Sequence, residues 1–455
     1  MYQRIFDDGL AQASFLLACP RTREAVIIDP RRDVDIYVEA ARARGLRIQY
    51  SIETHVHADF ACGSRELLAL GARTMAGPGS NLRYTHHEVQ DGERLRVGDI
   101  SMQFMHTPGH TPEHISILVN QPDQPTRIFT GDTLFAGAVG RPDLLGEEQT
   151  RTLAGSLHDS LFKKLLLLDD RIEVHPGHGA GSLCGAGISG EPHSTIGQER
   201  RFNPMLQHAD RDAFVAAVLA DLPETPPYFA RMKKLNQEGP PLMGLVNGYR
   251  GPAAISASAT TVAIKAGGLL LDMRGAAAFA ERHPLGALNL EYGSKLGYWA
   301  GWVLPADARV VLLAADERQA ADAARQLMRI GVSRIDGYLS GGLHAWQAAA
   351  LPVGSLAIMT TQELRASIGL GRAPTIVDVR TTREWDTGHI NGAVHIPLGA
   401  LQARASEIPR DRPVATMCEG GYRSALAASI LSRSGIDHIV NVRDGMSAWR
   451  QSEMA

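Results

Sequence analysis

Between residues 24 and 175 the apolar positions fall in short runs separated by polar turns. Glu24-Ala-Val-Ile-Ile-Asp29 is apolar at successive positions, as in a strand covered on both faces. In residues 34–44, Val-Asp-Ile-Tyr-Val-Glu-Ala-Ala-Arg-Ala-Arg, apolar residues recur at helical spacing, and Gly45 supplies a stop. Residues 48–52 read as the next strand and 61–70 as a helix. Further strands are expected at 100–106, 114–119, 127–132 and 171–175, with a helix over 150–168. Strands that alternate with helices predict an α/β fold. The strands share a second property: each of four runs into a turn bearing histidine or carboxylate. These turns hold His55, His57 and Asp59; His110; Asp132; and His178.

The pattern changes near residue 222. Leu222-Pro-Glu-Thr-Pro-Pro-Tyr-Phe229 reads as the tail of a first domain. Gln237-Glu-Gly-Pro-Pro-Leu242 and Gly248-Tyr-Arg-Gly-Pro252 read as linker, which sets a boundary near residue 250. A repeat follows. Leu270-Leu-Asp-Met-Arg274 returns as Ile376-Val-Asp-Val-Arg380, and His283-Pro-Leu-Gly-Ala287 as His389-Ile-Asn-Gly-Ala393. Gly342-Leu-His-Ala-Trp346 returns as Gly445-Met-Ser-Ala-Trp449. The offsets are 106, 106 and 103, so two related α/β units lie in tandem. The expected domains are 1–250, 255–355 and 356–455.

Length and charge change this picture little. A chain of 455 residues accommodates roughly two to four domains. With 46 basic and 49 acidic residues it offers no argument for nucleic acid. No apolar stretch is long enough to span a bilayer, and the N-terminus lacks the apolar run of a signal peptide. A cytoplasmic location is expected. Cys19, Cys62, Cys184 and Cys418 are too scattered for a zinc spacing or a disulfide framework.

The turns carry the chemistry. His55 and His57 sit one residue apart at a strand end, where they can converge on a metal, with Asp59 two residues on. A single histidine turn could be a satisfied polar residue near the core, but four in one stretch argue for a site. Cys184 lies in a Gly-rich loop beyond the last of them, and is either substrate-proximal or an inert thiol. In the last unit, strand 413–417 leads into Cys418-Glu-Gly-Gly-Tyr-Arg423-Ser424 and then a helix. Backbone N–H groups in a tight Gly-containing loop, the helix N-terminus and Arg423 all favour a thiolate. Glu419 opposes them. In the first unit Ala314 stands opposite Cys418, followed by Asp316 and Glu317, so that unit is expected to be catalytically silent.

The motifs His55-Val-His57-Ala-Asp59, Thr107-Pro-Gly-His110, Gly131-Asp132 and Pro176-Gly-His178 resemble the metallo-β-lactamase fold, an αββα sandwich. Both later units resemble rhodanese domains. Two-metal members of the superfamily carry a histidine where this chain has Phe60, so one metal is expected. Within the superfamily the chain is most similar to the persulfide dioxygenases. That resemblance implies one Fe(II) per chain, held by His55, His110 and Asp132, in a site that also accepts zinc. It makes His57, Asp59 and His178 groups that orient ligands or waters, and gives Arg141 a partner in Asp143 or in a substrate anion. In the rhodanese loop it assigns catalysis to Cys418, Arg423 and Ser424.

The implied activity is oxidation of a glutathione, coenzyme A or cysteine persulfide to sulfite with O2, coupled to sulfur transfer that makes or uses thiosulfate. The implied partners are small molecules, with neither nucleic acid nor membrane, and a homo-oligomer is allowed. Two rivals remain: a glyoxalase II-like thioester hydrolase, and a sulfur carrier with a structural metal.

Overall fold

Period-two alternation along the strands builds the N-terminal sandwich. In strand Gln12–Cys19, Ala13, Phe15 and Leu17 point one way and Leu16 and Ala18 the other, and both sets are buried. The computed structural model describes residues 1–220, 222–244 and 249–451. They divide into two units, Met1–Tyr249 with Met328–Gly331, and Arg250–Leu327 with Val332–Ala455. In the first, one six-stranded sheet runs in the order Tyr2–Asp7, Gln12–Cys19, Glu24–Ile28, Arg47–Ile52, Arg73–Ala76, His87–Glu88. The other, also six-stranded, runs Ser194–Thr195, Glu173–Pro176, Arg127–Gly131, Ile115–Asn120, Ile100–His106, Arg94–Val97. Their inner faces meet through Phe15, Phe104, Ile117 and Phe129. Helices Asp35–Arg42 and Ser64–Ala69 cover the first sheet through Tyr37 and Leu67. Helices Glu147–Lys163 and Arg211–Ala220 cover the second through Leu157, Leu161 and Phe214. This is an αββα sandwich.

The helix expected over 150–168 starts earlier, at Glu147, and ends at Lys163 before a short 3-10 turn, Leu165–Leu167. A larger difference concerns the expected tail and linker. Tyr228–Glu238 is a helix, and it braces the histidine loop. Residues 54–61 leave the sheet yet stay buried, so their backbone groups need partners. The Asn236 side chain donates to the carbonyls of His57 and Phe60, both at 2.8 Å, and accepts from Cys62 N–H at 2.9 Å. Tyr228 Oη donates to the Asp59 carbonyl at 3.0 Å. Residues 239–244 are without helix or strand, and Gly248 lies outside the described residues. Asn236→Ala should destabilise this unit by at least about 2 kcal/mol, because buried backbone groups left unpaired cost ~1–3 kcal/mol each. Urea unfolding followed by circular dichroism measures this, and an unchanged midpoint would refute the bracing role.

The second unit contains two parallel five-stranded sheets of identical order. One runs Ala254–Ile255, Arg334–Leu339, Arg309–Leu313, Leu269–Asp272, Leu288–Asn289. The other runs Ala357–Met359, Ile439–Val442, Val414–Met417, Thr375–Asp378, Val394–His395. The repeated sequence motifs are clamps of this fold. Arg274 and Arg380 each fork onto the aspartate two residues earlier, Asp272 and Asp378. His283 stacks on Phe279 at 3.8 Å and donates to its carbonyl, and His389 stacks on Trp385 at 3.6 Å and does the same. Among the described residues no helix is long and apolar enough to cross a membrane.

Candidate functional site

The turns after Arg47–Ile52, Ile100–His106 and Arg127–Gly131 bring His55, His110 and Asp132 together, all buried, with ligand atoms within 4.8 Å of one another. His110 Nε2 is 3.5 Å and His55 Nε2 3.9 Å from Asp132 Oδ2. The other ring nitrogens are engaged. His110 Nδ1 donates to the Arg141 carbonyl at 2.8 Å. The Thr54 hydroxyl donates to Asp29 Oδ2 at 2.9 Å, so it accepts from His55 Nδ1 at 3.0 Å. In a neutral imidazole that leaves Nε2 as a lone pair. Burial, reinforced by the surrounding imidazoles, holds both histidines well below the ordinary histidine range, which keeps them neutral. Burial also pushes the Asp132 carboxyl up to about 6.

His55 Nε2, His110 Nε2 and Asp132 Oδ2 have no hydrogen-bond partner. Lone pairs aimed at a carboxylate oxygen repel one another unless a cation lies between them. The donors present therefore fit a metal ion. Two imidazoles and one carboxylate leave coordination positions open, as in non-haem Fe(II) sites.

Residues around the trio hold this set in place, and the motifs did not single out His114, Glu113 or Asp29 among them. His114 Nε2 accepts the Asp132 N–H at 3.0 Å, while its Nδ1 faces the hydroxyls of Thr107 and Thr133, both at 3.0 Å. Glu113 accepts the Val56 N–H at 3.0 Å. Asp29 accepts the Thr54 N–H at 2.7 Å. A Cβ on Gly140 would lie 1.8 Å from the Asp132 carbonyl, so only glycine lets the next residue, Arg141, reach His110. The Arg141 guanidinium is itself buried. It forks onto Asp143 at 2.7 Å and donates to the Leu183 carbonyl and Thr225, so it holds the loop while its carbonyl holds His110.

His57 belongs to a different donor group, with Asp29 and Glu53. Its Nε2 lies 3.2 Å from both Asp29 and Glu53. Burial alone would depress its pKa, but these carboxylates outweigh burial and hold it well above the ordinary range. Asp59, His178 and Cys184 form a second buried donor group within 4.8 Å. Burial, then the Asp59 and Asp132 carboxylates, push the Cys184 thiol well above its ordinary range. Cys19 and Cys62 are also buried free thiols.

The Cys418 loop lies in the second unit. Cys418 is buried at the end of strand Val414–Met417, and Gly421 N–H donates to its Sγ at 3.1 Å. Gly421 has φ 97°, and a Cβ there would sit 2.0 Å from the Arg443 carbonyl, so the turn requires glycine. Ser424 Oγ lies 3.6 Å from Sγ. Arg423 forks onto Glu384 with both contacts at 2.6 Å. Burial would raise the Glu384 carboxyl, but Arg423 and Thr381 overcome it and hold it down to about 2. Glu419, expected to oppose the loop, is neutralised by Arg380 and Arg450. The first repeat contributes directly here. Trp299 lies under the Arg423 guanidinium at 5.4 Å, and Tyr422 Oη donates to the Glu291 carbonyl.

The family model for the metallo-beta-lactamase superfamily matches residues 7–178, and that for the rhodanese-like domain matches 257–349 and 360–452. A crystal structure of a metallo-beta-lactamase from Staphylococcus aureus is 33% identical, with a TM-score of 0.65; the likeness covers 74% of this chain and 98% of that one. The chain belongs to the metallo-beta-lactamase superfamily. Two rhodanese-like domains follow the superfamily domain. The human mitochondrial persulfide dioxygenase ETHE1 is 29% identical over 213 residues, 45% of this chain and 76% of its own length. A probable hydroxyacylglutathione hydrolase from Schizosaccharomyces pombe is 28% identical over 220 residues, 43% of this chain and 83% of its own length. In this superfamily member Phe60 is fully buried and packs on His57 with ring centroids 4.2 Å apart, so that position offers no metal donor.

Proposed function

We propose that this chain is a persulfide dioxygenase with a sulfurtransferase domain, acting on low-molecular-weight persulfides in the cytoplasm. The unpartnered trio of His55, His110 and Asp132 beside a donor-free Phe60 carries this reading. The likeness to ETHE1 and the rhodanese-like domains support it. A single Fe(II) on the trio would supply adjacent open positions for a persulfide sulfur and O2. Persulfide, O2 and water then give thiol, sulfite and protons. The protein's part is positioning. Thr54 and the Arg141 carbonyl fix the two rings, and His114 fixes the Asp132 backbone. Burial keeps bulk water from the reacting sulfur.

At the second site the Cys418 thiolate attacks the outer sulfur of a persulfide or thiosulfate. The S–S bond breaks, and thiol or sulfite leaves with the electron pair. Gly421 N–H faces the sulfur on which charge resides. With sulfite as acceptor, the Cys418 persulfide gives up its outer sulfur as thiosulfate and the thiolate is regenerated; with thiosulfate as donor, a low-molecular-weight thiol takes that sulfur instead and becomes a persulfide that the first site would oxidise.

The rival, thioester hydrolysis, has the Schizosaccharomyces pombe relative in its favour and Phe60 against it. The deciding measurement loads the metal-free chain with Fe(II) and follows O2 with glutathione persulfide. Stoichiometric O2 uptake and sulfite release are expected. Rapid hydrolysis of a glutathione thioester without O2 uptake would overturn the reading.

A further inference from the structure

We infer that the Cys418 site, read as a sulfurtransferase, takes its sulfur from the persulfide of an organic thiol in preference to thiosulfate, and that Glu384 sets this preference. The donor named here rests on that reading of Cys418.

The two donors differ in charge and shape. Thiosulfate is a compact dianion. A persulfide carries at most one negative charge on its sulfur and brings an organic chain with it. A site that favours the dianion needs positive charge that is not already balanced. Around Cys418 the charges cancel in pairs. Arg423, the cation of the loop, forks onto Glu384 with both contacts at 2.6 Å. Burial would raise the Glu384 carboxyl, but Arg423 holds it down to about 2, so the pair stays ionised at neutral pH. Arg380 forks onto Asp378, and Arg450 pairs with Glu419.

The plain alternative is that Arg423 swings from Glu384 to the sulfonate of thiosulfate. A bidentate guanidinium–carboxylate pair is among the stronger polar contacts, and that motion would break it. It would also leave the Glu384 carboxylate, a like charge, beside the incoming anion. The organic chain of a persulfide makes no such demand. Beside Arg423 it finds an aromatic flank: Trp299 of the first repeat is half-buried, with its ring 5.4 Å from the guanidinium and 6.2 Å from the Tyr422 ring.

In the transfer, the Cys418 thiolate attacks the outer sulfur of the persulfide RS–SH. The S–S bond breaks, RS⁻ leaves with the electron pair, and the proton stays on the transferred sulfur. A second thiolate then takes that sulfur and regenerates the Cys418 thiolate.

The test uses the full chain without O2, so that the first site cannot consume the persulfide. Glutathione persulfide or thiosulfate is the donor and coenzyme A the acceptor. Coenzyme A persulfide is followed by mass spectrometry, and Cys418→Ser gives the background. In the wild type, kcat/KM should be more than about tenfold higher for glutathione persulfide than for thiosulfate. Glu384→Gln removes the negative charge and keeps an oxygen for the Thr381 N–H, which Glu384 accepts at 3.0 Å. Its KM for thiosulfate should fall by about tenfold, the scale of a hydrogen bond to a charged group, while its KM for glutathione persulfide changes by less than about threefold. Thr381→Ala, which disturbs the same helix start without removing charge, should leave the KM for thiosulfate where it was. Circular dichroism establishes that each variant is folded. Thiosulfate used as well as persulfide by the wild type would overturn the preference. An unchanged thiosulfate KM in folded Glu384→Gln, or an equal fall in Thr381→Ala, would overturn the role of Glu384. Wild-type transfer no faster than Cys418→Ser with either donor would overturn the sulfurtransferase reading itself, and this preference with it.

Discussion

Asp132→Ala should abolish persulfide-driven O2 uptake while leaving thiosulfate:thiol sulfur transfer at the wild-type rate. The loss should exceed about 100-fold, the upper end of what changes to supporting groups cost at metal sites. Asp132 Oδ2 is the one carboxylate atom faced by His55, His110 and His178. Removing it deletes the negative charge on which the imidazole lone pairs converge, so iron content should fall with activity. The Cys418 loop belongs to a separate unit with its own core, so transfer should persist. An Asp132→Ala chain that keeps its iron and its O2 uptake would refute the assignment of the trio.

Cys418→Ser should do the reverse. Sulfur transfer should drop by more than about 10³-fold, the scale seen when a catalytic nucleophile is removed. Oxygen uptake should remain, and the ratio of sulfite to thiosulfate should rise because nothing then passes sulfane sulfur to sulfite. The first repeat should not rescue the loss. Strand pairing sets Leu313 beside Asp272 as it sets Met417 beside Asp378, which places Ala314 opposite Cys418. The loop after Ala314 closes on itself: Ala315 N–H donates to Gln319 Oε1 at 2.7 Å, and Asp316 caps Gln319 N–H at 2.8 Å. A Cys418→Ser/Ala314→Cys chain should therefore remain inactive, because Asp316 and Glu317 in this loop disfavour both a thiolate and an anionic donor. Recovery of most of the wild-type rate would show that this loop is competent.

The sandwich and the repeat were legible because their signals are local. Ala25 to Ile28 read as a strand because both faces are covered, and the repeat reads because Asp–Arg and His–aromatic clamps need fixed short spacings. His114 left a local trace as well, four residues after His110, but one histidine near another does not say which atom it holds. Asn236 left none. It sits just before Gln237–Leu242, which reads as linker, and its contacts reach a loop more than a hundred residues earlier in the chain.

The sequence alone determined which donors exist: two histidines and a carboxylate at strand ends, a phenylalanine where a ligand could sit, and a cysteine in a glycine-rich turn. Residue type and short spacing carry that information, since they decide what chemistry a turn can offer. Only the tertiary structure decided direction. It turned His57 toward Asp29 and Glu53, closed Arg141 onto Asp143, neutralised Glu419 with two arginines, and set Cys184 beside Asp59 and His178. The physical reason is that a buried polar group takes whichever partner the packing of distant segments brings within reach, and the spacing of residues along the chain does not encode that distance.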